Sequence, residues 1–246
     1  STLRGHYPVE TDVIAEELGP FAAHFLIPAF FEGGRITRDS THYLRVKGEW
    51  VPTHLTEFAK DSVFGYSTAY LPDYVAEKTH GKIPASQVTR WLLPELRGGV
   101  AELRTRLMAL RDNQCGVVDA ETQADLDQFC QQIQWAAAQG QRFLFRSAAS
   151  WLTSLAQLPP QPVDANAMAQ YVRLGRPGVV VVGSHVPTTT QQLQHLCQQP
   201  GIVAIEVAVD EIATQGATLL TQLNQHIAQA HDQNLTPVIY TSREER

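Results

Sequence analysis

From about residue 85 onward, short apolar runs alternate with stripes of apolar residues at helical spacing, and this alternation restricts the fold more than any other feature. Val88–Leu93 reads as a strand, and Val100, Leu103, Leu107 and Leu110 mark one side of a helix. Cys115–Val118 reads as the next strand, followed by a stripe of Leu126, Phe129, Cys130, Ile133 and Ala137. Arg142–Phe145 and then Ala148–Leu158 repeat the pattern. After Pro159-Pro160-Gln161-Pro162, a stiff local spacer, it resumes. Val179–Val182 is a β-branched run with the character of a deeply buried strand. A helix over about 190–198, a strand Ile202–Val207, a helix carrying Leu219, Leu220, Leu223 and Ile227, and a strand Val238–Tyr240 complete the series. Strands separated by helices of this length predict an α/β fold. The expected architecture has three layers, a mainly parallel sheet with helices on both faces.

The first third is less regular. Val9, Val13, Ile14, Ala15 and Leu18 have roughly helical spacing and Gly19-Pro20 stops them, and Ala22–Phe30 is a candidate buried strand. Residues 31–66 lose periodicity and predict an irregular, partly hairpin insertion, the kind of long ordered segment that often carries function. Thr68–Lys78 reads as a helix with Pro72 in its first turn.

Composition matters mainly for what it excludes. The 246 residues carry a formal net charge of -6 with no cluster of Lys and Arg, which argues against nucleic acid as a partner. No apolar run is long enough to span a membrane and no signal peptide is visible, so the cytoplasm is the default expectation. Cys115, Cys130 and Cys197 are too scattered for a disulfide framework or a zinc site. The nine His show no ligand spacing, so no protein-built metal site is expected. The chain opens on Ser1 without a Met and ends just after an apolar strand. It reads as a fragment.

In open α/β sheets ligands gather at the carboxyl ends of strands. Val179–Val182 runs there into Gly183-Ser184-His185-Val186-Pro187-Thr188-Thr189-Thr190 and a helix. Gly183 permits close backbone approach, and hydroxyls beside free helix N–H groups form an anion-friendly rim; an ordinary threonine N-cap explains the same residues. Phe143-Leu144-Phe145 ends at Arg146-Ser147-Ala148-Ala149-Ser150, a turn that could equally serve close packing. Asp119 stands at a third strand end, where an Asp usually caps a helix. In Ser1-Thr2-Leu3-Arg4-Gly5-His6, hydroxyls and a guanidinium crowd a turn before a helix. An Arg fork holds a carboxylate bidentately, although a solvated surface Arg is the commoner case. Arg35, after Gly33-Gly34, has the same two readings, and His42 and His185 fall in candidate site loops.

Taken in order, Ser1-Thr2-Leu3-Arg4-Gly5, Pro28-Ala29-Phe30 with Gly33-Gly34-Arg35, Thr41-His42-Tyr43, Asp61 before Phe64-Gly65-Tyr66-Ser67, Val118-Asp119-Ala120 with Asp125-Leu126, Arg146–Ser150, Gly183-Ser184 and Thr241-Ser242-Arg243 make the chain resemble the four-carbon acid sugar kinases. The resemblance implies phosphorylation of the terminal hydroxyl of threonate, erythronate or a 3-oxo-tetronate, with ATP and Mg2+ as cofactors. It implies an acid-sugar pocket at Ser1, Thr2, Arg4, Gly5 and Arg35, and a nucleotide side at Gly183, Ser184 and Thr188. It also implies that residues 1–246 form the N-terminal acid-sugar-binding domain, with a preceding strand and a C-terminal nucleotide-binding domain absent. The fragment alone is then expected to be inactive, with the active site of the whole enzyme lying between its two domains. Val186 stands where the family often has a second Ser, which leaves the hydroxyl role to Ser184. No catalytic base is assigned. A non-catalytic sugar-acid-binding or regulatory module is the alternative, and a Rossmann-like oxidoreductase is disfavoured because no dinucleotide fingerprint follows any strand.

Overall fold

The computed structural model describes residues 2–159, 163, 166–171 and 175–243. The chain divides into two compact units, residues 1–160 and 161–246. One continuous domain is the sequence expectation, but the hydrogen bonds make separate sheets in the two units. The break falls within the Pro-rich spacer, of which residues 160–162 lie outside the described residues.

In the first unit, helix α1 (Val9–Leu18) precedes strand β1 (Ala23–Ile27). The insertion then supplies β2 (Arg35–Arg38), β3 (Thr41–Val46) and β4 (Glu49–Pro52), and α2 (Leu71–Lys78) follows. The remainder is β5 (Thr89–Trp91), α3 (Leu93–Leu96), α4 (Val100–Ala109), β6 (Gln114–Val118), α5 (Gln123–Ala138), β7 (Phe143–Ser147) and α6 (Ala149–Leu155). The main sheet has the order β5-β6-β1-β7 and every pairing in it is parallel.

The period-2 alternation of side chains builds a core on each face. Phe25, Ile27 and Val118 join Leu103, Leu107, Phe129 and Trp151 of the helices α4, α5 and α6. Leu26, Cys115 and Val117 join Leu3, Tyr7 and α2's Leu71, Tyr74 and Val75 on the other face. These are the three layers expected. Gly116 is required by the first core: a Cβ there would sit 2.7 Å from Phe25 Cδ1 and 3.0 Å from Trp91 Nε1.

The insertion is more regular than its sequence. Strands β2, β3 and β4 form an antiparallel sheet joined by two-residue turns, Asp39-Ser40 and Lys47-Gly48. All four turn residues have positive φ (49°, 61°, 51° and 95°), as the right-handed twist of a tight hairpin demands. Only Gly48 advertises this in the sequence. Helix α1 forms where its spacing predicts, yet Val9, Val13 and Leu18 are exposed and the buried residue is Thr11.

The second unit contains β8 (Val180–Val182), α7 (Pro187–Cys197), β9 (Ile202–Val207), α8 (Val209–Asp232) and β10 (Thr236–Thr241). Its sheet order is β8-β10-β9, again all parallel. The expectation that Val179–Val182 is deeply buried is incorrect here. β8 is an edge strand, Val181 is 74% exposed and Val179 44%. A run of β-branched residues records that both faces of a strand suit burial, and an edge strand need not realise it.

Candidate functional site

The loop before α1 is held by its backbone. Arg146, one residue before the end of β7, donates from Nε to the Thr2 carbonyl at 3.3 Å and from Nη2 to the Arg4 carbonyl at 3.2 Å. Its Nη1 pairs with Glu10 of α1. Between those two carbonyls, Leu3 is buried and its own carbonyl accepts from the Tyr74 hydroxyl at 2.8 Å. Gly5 closes the loop with φ +126°, a conformation that disfavours any side chain. A Cβ on Gly5 would also lie 2.6 Å from Arg146 Nη2.

So anchored, the loop sends Arg4 towards the insertion. Arg4 Nη1 donates to Asp61 Oδ2 at 3.2 Å, and its guanidinium lies 5.7 Å from the centroid of the Phe58 ring. Arg35, at the start of β2, lies 5.1 Å from the same ring. Asp61 also accepts from the amides of Val63 and Phe64, both at 2.9 Å, and these bonds with the nearby Arg4 charge hold its carboxyl below the usual range. Arg35 donates to the Gly33 carbonyl at 3.1 Å and has no carboxylate partner among the described residues. Burial lowers its pKa and the like charge of Arg4 adds to the effect. Arg4 Nε is buried and has no hydrogen-bond partner among the described residues. Tyr66 completes the group: burial pushes its hydroxyl up, while Arg35 and Arg4 pull it down. Two guanidinium groups around one aromatic ring, only one of them paired to a carboxylate, form an anion-seeking surface.

Thr2, Arg4, Gly5 and Arg35 are thus described and brought to one locality, whereas Ser1 lies outside the described residues. The residues that sequence reasoning left unassigned are Phe58, Tyr66, Asp61 and Arg146. The resemblance points to Asp61 and Tyr66 through the segment Asp61 before Phe64-Gly65-Tyr66-Ser67, and Arg146 also opens one of the strand-end turns.

His42 does not belong to an open site. It is buried, paired with Thr37 Oγ1 at 3.1 Å, and burial, with the Arg35 charge, drives its pKa down to about 3. Asp119 does not cap α5 either; that role falls to Thr122, reciprocated by Asp125. Asp119 is buried and accepts from the Ser40 amide at 2.8 Å, which pins the β2–β3 turn. Burial raises its carboxyl to about 6.

An unfolded Asp titrates near 3.9, so between about pH 4 and pH 6 the folded protein keeps a proton that the unfolded chain has released. Stability therefore falls as pH rises through that window, by about 2–3 kcal/mol for this group alone. Asp119→Asn keeps an oxygen for the Ser40 amide and cannot ionise. It is expected to flatten the pH dependence of the urea midpoint between pH 4 and 6, with no loss of stability at pH 7.5. A slope equal to that of the wild type would contradict the assignment.

In the second unit, the carboxyl ends of β8 and β10 meet. Arg243 donates to the Ser184 carbonyl and, at 3.3 Å, to that of Val182. Thr241 Oγ1 lies 3.2 Å from His185 Nε2. Ser242 Oγ accepts from the Val209 amide, where α8 begins, at 3.4 Å. The Gly183-Ser184 and Thr241-Ser242-Arg243 segments thus share one edge of the sheet. The N-cap of α7 is Val186, without a side-chain cap, and Pro187 occupies the first turn. The threonine-cap explanation of the loop is therefore not what the structure contains. The first-turn amides, Thr188 among them, have no acceptor within the helix. A Cβ added at Gly183 meets nothing within 4 Å.

Comparison with known proteins assigns a family domain to each unit. The family model described as the sugar-binding N-terminal domain matches residues 1–155, and that described as the nucleotide-binding C-terminal domain matches residues 179–246. The second match covers a stretch that the sequence expectation assigns to the sugar-binding domain. The D-erythronate kinase of Heliobacterium modesticaldum is 29% identical over 206 residues, which are 79% of this chain and 40% of that protein. Among solved structures, a putative tRNA synthase from Salmonella typhimurium LT2 shares the fold with a TM-score of 0.56 at 20% identity, over 98% of this chain and 54% of its own. A Haemophilus influenzae protein of the DUF1537 family does so with a TM-score of 0.51 at 17% identity, over 97% of this chain and 54% of its own. The chain spans about half the length of these relatives, or less. With residues 1–155 matched by the sugar-binding domain and residues 179–246 by the nucleotide-binding domain, the chain belongs to the four-carbon acid sugar kinase family.

Proposed function

We propose that the first unit binds a four-carbon sugar acid through its carboxylate, in a kinase that phosphorylates the acid's terminal hydroxyl with ATP. The observation that carries this reading is the convergence of Arg4 and Arg35 on the Phe58 ring, with Arg35 lacking any acidic partner among the described residues. A carboxylate arriving there meets planar donors that give direction as well as charge. Thr2 and Gly5 shape the loop that presents Arg4, and Ser1 stands beside them in sequence. The D-erythronate kinase similarity favours a four-carbon acid over other anions.

On this reading the second unit receives the nucleotide at Gly183, Ser184 and Thr188. Free amides at the start of a helix and a side-chain-free approach at Gly183 suit phosphate oxygens. The terminal hydroxyl oxygen forms a bond to the γ-phosphorus, the bond to the ADP oxygen breaks, ADP departs with that oxygen's electron pair, and the hydroxyl proton passes to solvent. Magnesium would travel on the nucleotide's phosphates; among the described residues no cluster of three or more His, Cys, Asp or Glu is arranged to hold a metal. ATP as the phosphoryl donor is consistent with a cytoplasmic reaction in the metabolism of sugar acids.

The test is ATP turnover by the full-length protein with a panel of D- and L-threonate, D-erythronate and 3-oxo-tetronates, with erythritol as the control lacking a carboxylate. Turnover with at least one acid and none with erythritol is expected. Binding of the acids without turnover of ATP would show a non-catalytic module instead.

The nucleotide assignment has its own check. Gly183→Val places a side chain in open space, so stability should change by less than about 0.5 kcal/mol. The KM for ATP, in contrast, should rise severalfold. A melting defect with unchanged ATP kinetics would mean that Gly183 serves only the fold.

A further inference from the structure

We infer that Arg146 is the positioning residue for Arg4. It does not touch the acid but sets the backbone from which Arg4 reaches it. This inference rests on the reading that Arg4 receives the carboxylate.

The geometry assigns all three sides of the Arg146 guanidinium. Nε is bonded to the Thr2 carbonyl, Nη2 to the Arg4 carbonyl and Nη1 to Glu10. Its side chain is only 20% exposed. Three of the five N–H groups of this guanidinium are thus taken by the protein itself, one on each nitrogen, although it stands at the carboxyl end of a parallel strand where ligands usually gather. The register fixes its place: Arg146 lies beside Leu26 of β1, within the hydrogen-bonded sheet.

The loop shows the complementary side of the arrangement. Three consecutive carbonyls, of Thr2, Leu3 and Arg4, accept from donors outside the loop, two from Arg146 and one from Tyr74. Gly5 supplies the positive φ and the missing Cβ that let the guanidinium come so close. A short loop with three consecutive carbonyls tied down has little freedom left to move its side chains. Arg4 is therefore presented to Asp61 and Phe58 in one orientation, and that pre-organisation lowers the cost of ordering it when the acid binds. A lysine at 146 keeps the charge but cannot span two carbonyls with one rigid fork.

Two measurements on the full-length protein test this. The first needs no acid. The Arg4 Nε–H is buried without a hydrogen-bond partner among the described residues, so its exchange with solvent, followed by NMR, should be slow in the wild type. In Arg146→Lys it should quicken by roughly tenfold or more, as expected for loss of a charged hydrogen bond. Unchanged exchange would overturn the inference. Tyr74→Phe, which removes only the bond to the Leu3 carbonyl, should shift the exchange in the same direction by less; it also serves if Arg146→Lys fails to fold.

The second measurement is kinetic. Arg146→Lys should raise the KM for the acid about tenfold, leave the KM for ATP unchanged, and combine with Arg4→Lys less than additively because both act through one group. Full additivity would mean that Arg146 contacts the acid itself and would overturn the positioning role. Expected exchange with no acid turnover in the wild type would sink the substrate reading and leave the positioning intact.

Discussion

Arg4→Ala in the full-length protein is expected to lower kcat/KM for its four-carbon acid by about 2–5 kcal/mol, a loss of roughly thirtyfold or more. The side chain sits on a loop fixed by three anchored carbonyls, and it faces Phe58 together with Arg35. Truncation leaves the incoming carboxylate beside one guanidinium instead of two, in a partly desolvated setting where a missing partner costs more than in water. Arg4→Lys retains the charge and loses the fork, so a smaller loss of about 1–3 kcal/mol is expected. Most of the change should appear in the KM for the acid, with the KM for ATP unaffected. Steady-state kinetics with each substrate varied in turn would show this. If kcat/KM for every acid stays within twofold of the wild type, Arg4 is a surface charge paired to Asp61 and nothing more.

Phe25→Ala is expected to destabilise the first unit by about 3–5 kcal/mol. Phe25 is fully buried on β1, one of the two interior strands of the main sheet, and its ring lies 5.4 Å from that of Phe129, 5.6 Å from Phe143, 5.9 Å from Phe145 and 5.9 Å from Trp91. Edge and stacked contacts of this kind add to simple burial. Gly116 exists to admit that ring, so no neighbour is placed to refill the space without moving β6. Urea unfolding followed by Trp fluorescence reads the effect directly, because Trp91 and Trp151 are both buried in the same core. A loss below about 1 kcal/mol would mean that the cluster collapses onto the gap and that the packing described here is not what holds the sheet.

Much of the fold was legible because parallel strands, buried or at an edge, are written as short apolar runs between helical stripes. Ile202–Val207 has the predicted bounds, and the strands ending at Val118 and near Phe145 lie within two residues of expectation. Which runs share a sheet was not legible, since hydrogen-bond partners leave no mark on a run. The Pro-rich spacer was noticed, and the division of the chain there was not. The insertion is partly hairpin, as expected, but its two turns carry little signal: Asp39-Ser40 and Lys47 adopt positive φ without the Asn-Gly or Asp-Gly pair that usually announces it.

The site divides in the same way. Arg4 and Arg35 could be singled out because each follows small or polar residues in a turn. Asp61, Phe58 and Tyr66 lie in aperiodic sequence, and their convergence with Arg4 exists only once β2 and the N-terminal loop are in place. Arg146 was read as the first residue of a small polar turn. Its partners are backbone carbonyls, which every residue has, so nothing in the sequence could single out those of Thr2 and Arg4.

The most direct test of the proposed pocket is a crystal structure of the full-length protein with D-erythronate. The carboxylate oxygens are predicted to lie at about 2.7–3.2 Å from guanidinium nitrogens of both Arg4 and Arg35. Erythronate bound with its carboxylate on neither arginine, while Arg4 remains paired to Asp61, would contradict the assignment of this site.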